Sequence, residues 1–376
     1  MNEIGNLFMS LENTPLVGIN EWIGKNNADK IILYGAGIIS RFLIPVLQKT
    51  GLNIVALSDS DKTKWNTTIM GVPCVSPSEL VYYQGSLVIA IIQKQYQTAF
   101  PEVKSKLIIL GYKNIIHFTE LKYIAEIQKE LHNSFMLSLL ELPMKKHKNE
   151  IELLFHLLDK DSKKVLIEIL GERIINQPAS TKQGKYIYHP DELFRLSSDD
   201  VIVDCGAYTG DTLENLCEFG YSFKKYFAVE PDLANVNKLR QFTAHFPKNM
   251  QDKITVIPKA IGKHCGHISF EDSLGLNSRV IENGENTIPC ITLDSEFSNE
   301  KITYIKMDLE GYEMNALEGA EKIIRRDRPI LAISIYHYPH DLWEIPLWIH
   351  EHFPFYNFHI RSYDSIDIVC YAIPNK

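Results

Sequence analysis

VIVDCGAYTGDT, residues 201–212, decides the fold of this chain. An apolar run ending in an aspartate breaks at Cys205-Gly206, and polar residues able to start a helix follow, which is how an alternating α/β domain opens. Downstream, KYFAVEP, ITVIPKAIG, ITYIKMDLE and PILAISIYH repeat the strand-like run, each separated by helix-compatible sequence. The chain closes with FYNFHIRSY and SIDIVCYAIP, two strands joined by a few turn residues, so a parallel sheet must end in an antiparallel hairpin. An earlier glycine turn, ILYGAGIIS at 32–40, sits in a similar pattern: KIILYG, NIVALSD, SLVIAII and NIIHF read as strands, with RFLIPVLQKTG helical after the first. Between them, LKYIAEIQKELHNSFMLSLLEL and KNEIELLFHLLDKDSKKVLIEIL place Leu and Ile at helical spacing. The expected organisation is α/β, with two Rossmann-like domains, 1–118 and 186–376, joined by a helical connector over 119–185.

Length and composition set the outer bounds. A chain of 376 residues accommodates two cores, and 45% hydrophobic content, 23% charged residues and a net charge of -8 describe a globular protein whose main partner is not nucleic acid. The N-terminus lacks a basic segment followed by an apolar core, and the longest apolar runs, such as LVIAII at 87–92, are strand-sized, so a cytoplasmic protein without membrane insertion is expected. The six cysteines form no CxxC pair and no zinc spacing, and read as core residues of a reducing compartment rather than nucleophiles.

The two glycine turns suit different ligands. GAGIIS keeps Gly35 and Gly37 of the dinucleotide fingerprint but has Ser40 at the third position, with Asp59 and Asp61 following the second strand. Nucleotide or nucleotide-sugar binding and a turn kept for packing are both consistent with it. In the second turn, Asp204 aims a carboxylate where a dinucleotide fold holds pyrophosphate. Two like charges about 4 Å apart repel by about 4 kcal/mol at an effective dielectric near 20, roughly a thousandfold in affinity. A cationic ligand fits better, and S-adenosylmethionine carries a sulfonium and an ammonium. On that reading Gly206, Ala207 and Gly210 let the backbone approach the methionyl part, and Asp211 and Thr212 position its amino and carboxylate groups. Glu230, about 26 residues beyond Asp204, accepts the ribose hydroxyls with help from Pro231 and Asp232, and Ala260 and Ile261 frame adenine.

VDCGAYTGDT, FAVEPD, TLDSEF, IKMDLEGYEMNALEGA with its Asp308, Glu310, Gly311 and Glu313 signature, and SIYHYPHDLWEIPLWI together resemble the FkbM-type S-adenosylmethionine-dependent methyltransferases over roughly residues 155 to 372. That resemblance implies a class I methyltransferase sheet and O-methylation of a carbohydrate hydroxyl, on a surface polysaccharide or glycolipid precursor. The first half, through GAG, DSD and MGVPCVSPSEL, is similar to the small Rossmann-like domain ahead of nucleotide-sugar acetyltransferases.

Methyl transfer is an in-line displacement, accelerated by near-attack positioning and by removal of the hydroxyl proton. Asp308 and His337, each at a strand end, are the candidate catalytic residues, with His337 the better base by its ordinary pKa, about 6.5 against about 3.9. Glu310 and Glu313 are expected to bind acceptor hydroxyls, although carboxylates at a helix start are favoured by the helix dipole alone. The stretch FEDSLGLNSRVIENGENTIPC is expected to loop over the acceptor, where Asn277 and Arg279 contact it. A divalent metal held by Asp308 and Glu310, or by His337, His340 and Asp341, is the rival mechanism and is not favoured, because no ligand spacing is specific. The alternative function is a nucleotide- or nucleotide-sugar-binding protein or NAD-dependent oxidoreductase with an inactive methyltransferase domain. The connector helices are expected homodimer contacts.

Overall fold

The structure, a computed structural model, describes residues 3–92, 96–131, 135, 137, 140, 142, 147–176, 187–271, 279–281, 287–363 and 367–375. The chain forms two compact units: Met1–Glu152 with Lys164–Thr181 and Tyr336–His340, and Leu153–Lys163 with Lys182–Ile335 and Asp341–Lys376.

In the first unit, the apolar runs become β1 (Ile31–Tyr34), β2 (Ile54–Ser58), β5 (Leu87–Ala90) and β6 (Ile115–His117). They join β3 (Thr67–Ile69) and β4 (Val72–Val75) in one sheet ordered β3-β4-β2-β1-β5-β6. All pairings are parallel except β3 with β4. That hairpin turns on Met70 and Gly71, both at positive φ (49° and 80°), the backbone a two-residue turn needs to match strand twist. Ile31, Leu33, Leu87 and Ile89 pack with Leu43 and Leu47 of helix Ile38–Lys49 in a dry core.

In the second unit, β7 (Val201–Cys205), β8 (Lys225–Val229), β9 (Ile254–Ile257), β14 (Tyr304–Met307), β15 (Ile330–Ser334), β16 (Tyr356–Ser362) and β17 (Ile368–Pro374) form a seven-stranded sheet ordered β16-β17-β15-β14-β7-β8-β9. Strands β9, β8, β7, β14 and β15 run parallel, while β17 is antiparallel to both β15 and β16. This is the methyltransferase-like sheet with its closing hairpin. Its central strands are buried throughout, which is why they read as continuous apolar runs.

One sequence expectation needs correction. A second sheet, ordered β10-β13-β11-β12, is built from β10 (Ala260–Ile261), β11 (Gly266–Glu271), β12 (Arg279–Ile281) and β13 (Thr287–Ile291). The stretch FEDSLGLNSRVIENGENTIPC, expected to be a loop, therefore contributes β12, β13 and the end of β11. The alternation in TIPCI is short and carries a proline, so it was hidden in a polar context. Among the described residues, no helix is long and apolar enough to cross a membrane.

Candidate functional site

The order of the large sheet reverses between β7 and β14, because β8 and β9 lie on one side of that pair and β15 on the other. Open α/β sheets bind ligands outside the carboxyl ends of strands at such a switch point. Here Lys306 faces Asp204 and Met307 faces Cys205 in register, and the Asp308 amide donates to the Cys205 carbonyl at 3.0 Å. The glycine turn and the DLEGYE segment thus leave the sheet side by side.

The carboxylate of Asp204 is not presented as the sequence argument assumed. It is fully buried, accepts a hydrogen bond from the Tyr226 hydroxyl at 2.5 Å, and pairs with the Lys306 ammonium at 3.0 Å. Burial favours the neutral form of Lys306, but Asp204, with Asp308 and Asp211 beyond it, outweighs burial and holds the ammonium's pKa above its ordinary value. Asp204 is half of an internal ion pair, not a bare anion. The turn glycines also have a physical reason of their own. Gly206 has φ 80°, and a Cβ there would lie 1.9 Å from the Asp308 carbonyl oxygen; Gly210 has φ 101°, and its Cβ would meet Leu239 at 2.8 Å and Phe242 at 2.9 Å. Both glycines are needed for protein to approach protein. Ala207 is buried and its amide, like that of Gly206, donates to the Val229 carbonyl.

Glu230 follows β8, and its carboxylate folds back onto the turn. It accepts from the amides of Tyr208 and Asp232, both at 3.0 Å, and from the Asn235 side chain at 3.4 Å. With about four acceptor positions on a carboxylate, one strong hydrogen bond is left, so one ribose hydroxyl fits more readily than two. Burial pushes the Glu230 carboxyl up to about 7, against the pull of those donors. Asp232 caps helix Leu233–Ala244 by accepting from the Ala234 and Asn235 amides, and Pro231 between them is half-buried. Asp211 is exposed at the start of helix Asp211–Glu218, whereas Thr212 beside it is buried, its hydroxyl without a hydrogen-bond partner among the described residues. An under-satisfied carboxylate and a buried free hydroxyl are what a polar ligand such as S-adenosylmethionine would complete. Ala260 and Ile261 form buried β10, which pairs with β13.

At the end of β14, Asp308 accepts a hydrogen bond from Tyr188 at 2.8 Å. Tyr188 is left-handed at φ 70°, its hydroxyl also lies 3.1 Å from that of Ser334, and its amide donates to the Tyr371 hydroxyl. Glu310 is left-handed too, at φ 53°. Glu313 is buried and accepts from the Leu309 amide at 2.6 Å, the contact by which an early helical carboxylate closes the preceding loop. The carboxylates of Asp308 and Glu313 lie within 4.8 Å of each other. Asn277 lies outside the described residues, and Arg279 opens β12.

His337 belongs, with Tyr336–His340, to the first unit. Its ring is fully buried and parallel to Phe135 at 5.6 Å between centroids. The first unit also holds the GAG turn, which is internally closed. Asp59 accepts the Ala36 amide at 2.7 Å and pairs with Lys64 at 2.9 Å, and Ser40 donates to the Gly35 carbonyl. Burial opposes the charge on Asp59, but the amides of Asp61 and Ala36 and the Lys64 ammonium prevail and hold its carboxyl below the usual range. The Ala36 amide of the turn is thereby taken by the protein's own carboxylate.

Two site residues escaped the sequence reading. Tyr188 carries no periodic signal. Lys306 does: a lysine inside the buried run ITYIKM demands a partner, since lysine is almost never fully buried unpaired.

Comparison with known proteins bears on the same residues. Residues 204–363 match the model of the methyltransferase FkbM domain, and residues 27–116 match the C2185-like N-terminal model. The crystal structure of methyltransferase FkbM from Methylobacillus flagellatus KT is similar in fold, with a TM-score of 0.73 at 20% identity, covering 98% of this chain and 99% of that one. An rRNA methylase from Streptococcus thermophilus covers 48% of this chain and 90% of its own, at 17% identity and a TM-score of 0.32. A putative methyltransferase from Streptococcus mutans, in complex with SAH, covers 47% and 90% at 13% identity and a TM-score of 0.29. No curated protein matches the chain.

Proposed function

We propose, from the match of residues 204–363 to the methyltransferase FkbM domain, that the chain is an S-adenosylmethionine-dependent O-methyltransferase acting on a carbohydrate hydroxyl. The observation that carries this reading is the pairing of two carboxylates at one switch point: Glu230 beside the glycine turn, with its carboxyl raised to about 7 by burial, and Asp308 on the adjacent strand end. The first suits a ribose hydroxyl and the second an acceptor hydroxyl. When bound, the cofactor supplies an electrophilic methyl group on a sulfonium.

The chain's own residues do the rest. Asp204, Gly206, Ala207, Gly210, Asp211, Thr212, Glu230, Pro231, Asp232, Ala260 and Ile261 hold the cofactor. Asp308, oriented by the Tyr188 hydroxyl, aligns the acceptor hydroxyl, and His337 takes its proton. Glu310, Glu313, Asn277 and Arg279 bind the rest of the acceptor. The functional division follows 1–118, 119–185 and 186–376.

The test is incubation of the purified chain with methyl-labelled S-adenosylmethionine and a panel of UDP-, GDP- and dTDP-sugars and free glycans. Label in a sugar product supports the reading, and transfer confined to non-carbohydrate acceptors overturns its substrate half. A second reading, metal assistance, is favoured by the 4.8 Å approach of Asp308 and Glu313. Loss of transfer on chelation, restored by magnesium or manganese, would establish it.

A further inference from the structure

The buried lysine of β14 has no place in the functions assigned so far, yet it touches the turn that would hold the cofactor. Lys306 is 2% exposed. Its ammonium lies 2.7 Å from the Gly206 carbonyl oxygen, 3.0 Å from Asp204 Oδ1 and 5.0 Å from the centroid of the Tyr188 ring. An ammonium has three donors, and these three neighbours account for them.

We propose that Lys306 is the positioning residue that fixes the cofactor turn. Asp204 and the Gly206 carbonyl are both acceptors, and both lie within hydrogen-bond reach of the same buried ammonium. Neither can hold the other in place. A donor between them is required, and Lys306, in register with Asp204 on the neighbouring strand, provides it. The other side of the turn is held independently, because the Gly206 and Ala207 amides both donate to the Val229 carbonyl at 2.9 and 3.1 Å. Lys306 therefore controls one remaining freedom, the rotation of the peptide plane carrying the Gly206 carbonyl. That plane cannot be pushed toward β14, since the space beside Gly206 is already filled by the Asp308 carbonyl. With the ammonium removed, two buried acceptors lose their shared donor and the turn moves outward, into the volume of a ligand's amino-acid end. Glu230, which serves the ribose, has its own donors in Tyr208, Asp232 and Asn235 and does not depend on Lys306.

This inference rests on the turn being the S-adenosylmethionine site. Its test is calorimetry on the full chain with two probes: S-adenosylhomocysteine, and 5′-methylthioadenosine, which keeps the nucleoside but lacks the amino-acid end. Lys306→Met is expected to weaken S-adenosylhomocysteine tenfold or more while leaving 5′-methylthioadenosine within twofold. Equal loss of both probes would mean a general structural role, and no loss of either would mean none; each overturns the proposal. If Lys306→Met does not fold, the double variant Asp204→Asn/Lys306→Met removes the facing charge as well, a change that buried ion pairs often tolerate. It is compared with Asp204→Asn alone. A further tenfold loss for S-adenosylhomocysteine sustains the role of Lys306, and equal affinity assigns the effect to Asp204 instead. A wild-type chain that binds neither probe rejects the cofactor reading and this inference with it, whereas normal binding by wild type and Lys306 variants alike rejects the inference only.

Discussion

Affinity for S-adenosylhomocysteine is expected to rise about tenfold between pH 6 and pH 8, and Glu230 is the reason. Its carboxyl is raised to about 7, chiefly by burial. Only the ionised form is a full acceptor for a ribose hydroxyl, so the apparent dissociation constant scales with the inverse of the ionised fraction. With a midpoint near 7 that fraction is about 9% at pH 6 and about 91% at pH 8. The ratio is roughly 10, or about 1.4 kcal/mol.

The sign for stability runs the opposite way. A carboxyl whose folded pKa lies above its unfolded one binds extra protons in the native state, so its contribution is present below about 4.5 and is lost as pH rises through 7. Glu230 thus destabilises the apo fold by about 3 kcal/mol at pH 8, from the rise of its carboxyl from 4.5 to about 7. The ligand recovers part of that by supplying a donor. Calorimetry at pH 6, 7 and 8, in buffers of different ionisation enthalpy, should show the affinity trend together with proton release on binding. Because the ligand's own amino group titrates near pH 8, Glu230→Gln is the control. It should bind more weakly and lose the trend between pH 6 and 7. A wild-type profile flat over that interval would refute the assignment of Glu230 to the ribose.

Gly206→Ala and Gly210→Ala should differ in severity. The first drives a Cβ to 1.9 Å from a backbone oxygen, the second to 2.8 Å from the movable end of Leu239, so thermal unfolding should fall by about 5 °C or more for Gly206→Ala and less for Gly210→Ala. His337→Phe, which keeps a ring stacked on Phe135, should leave the unfolding midpoint within about 2 °C and reduce methyl transfer by about 10²-fold or more, in line with loss of a general base; unchanged transfer removes His337 from that role. In a titration of the chain with NADH, no binding is expected below about millimolar, because Asp59 occupies the Ala36 amide; micromolar binding measured by calorimetry would contradict the closed turn. Lys122 is buried, donates to the Arg173 carbonyl at 2.8 Å, and is pulled by burial down to about 8, so stability should rise between about pH 8 and 10.4 by up to about 3 kcal/mol as the unfolded chain holds the proton the native one releases. Denaturant unfolding at pH 8 and 10, with Lys122→Met lacking the increment, checks it.

The elements were legible because burial leaves a mark in composition. IILY is apolar throughout, and VIVDC and YIKM are apolar but for one charged residue each, because both faces of a central strand are covered; the hairpin FYNFHIRSY with SIDIVCYAIP was legible as two runs too close for a crossover. The small sheet was not, since AI and RVI are too short to show alternation. Positions of Asp204, Glu230 and Asp308 at strand ends followed from the pattern, but their partners did not. Lys306 lies 102 residues beyond Asp204, and only strand order and register bring them together. Tyr188 reaches Asp308 from a segment that precedes the sheet altogether. Side-chain pairing across a parallel sheet is a property of register, which one sequence does not display.

The ion pair also moves the physical basis of ligand selection. A bare carboxylate at Asp204 would have repelled pyrophosphate by about 4 kcal/mol at close range. Neutralised by Lys306 and enclosed, it exerts little of that repulsion. The turn nevertheless remains hostile to phosphate, for a reason located one turn later. A phosphate in a dinucleotide fold sits on the N-terminus of the helix that follows the glycines, drawn by free amides and the helix dipole. Here that helix begins with Asp211 and carries Glu214 in its first turn, both acidic, and the Glu214 amide is already engaged by the Gly210 carbonyl at 2.8 Å. Two carboxylates satisfy the dipole before any anion arrives. An ammonium group, by contrast, gains from both. On the proposed cofactor reading, the preference for a cationic ligand therefore rests on Asp211 and Glu214, while Asp204 and Lys306 supply the shape of the turn.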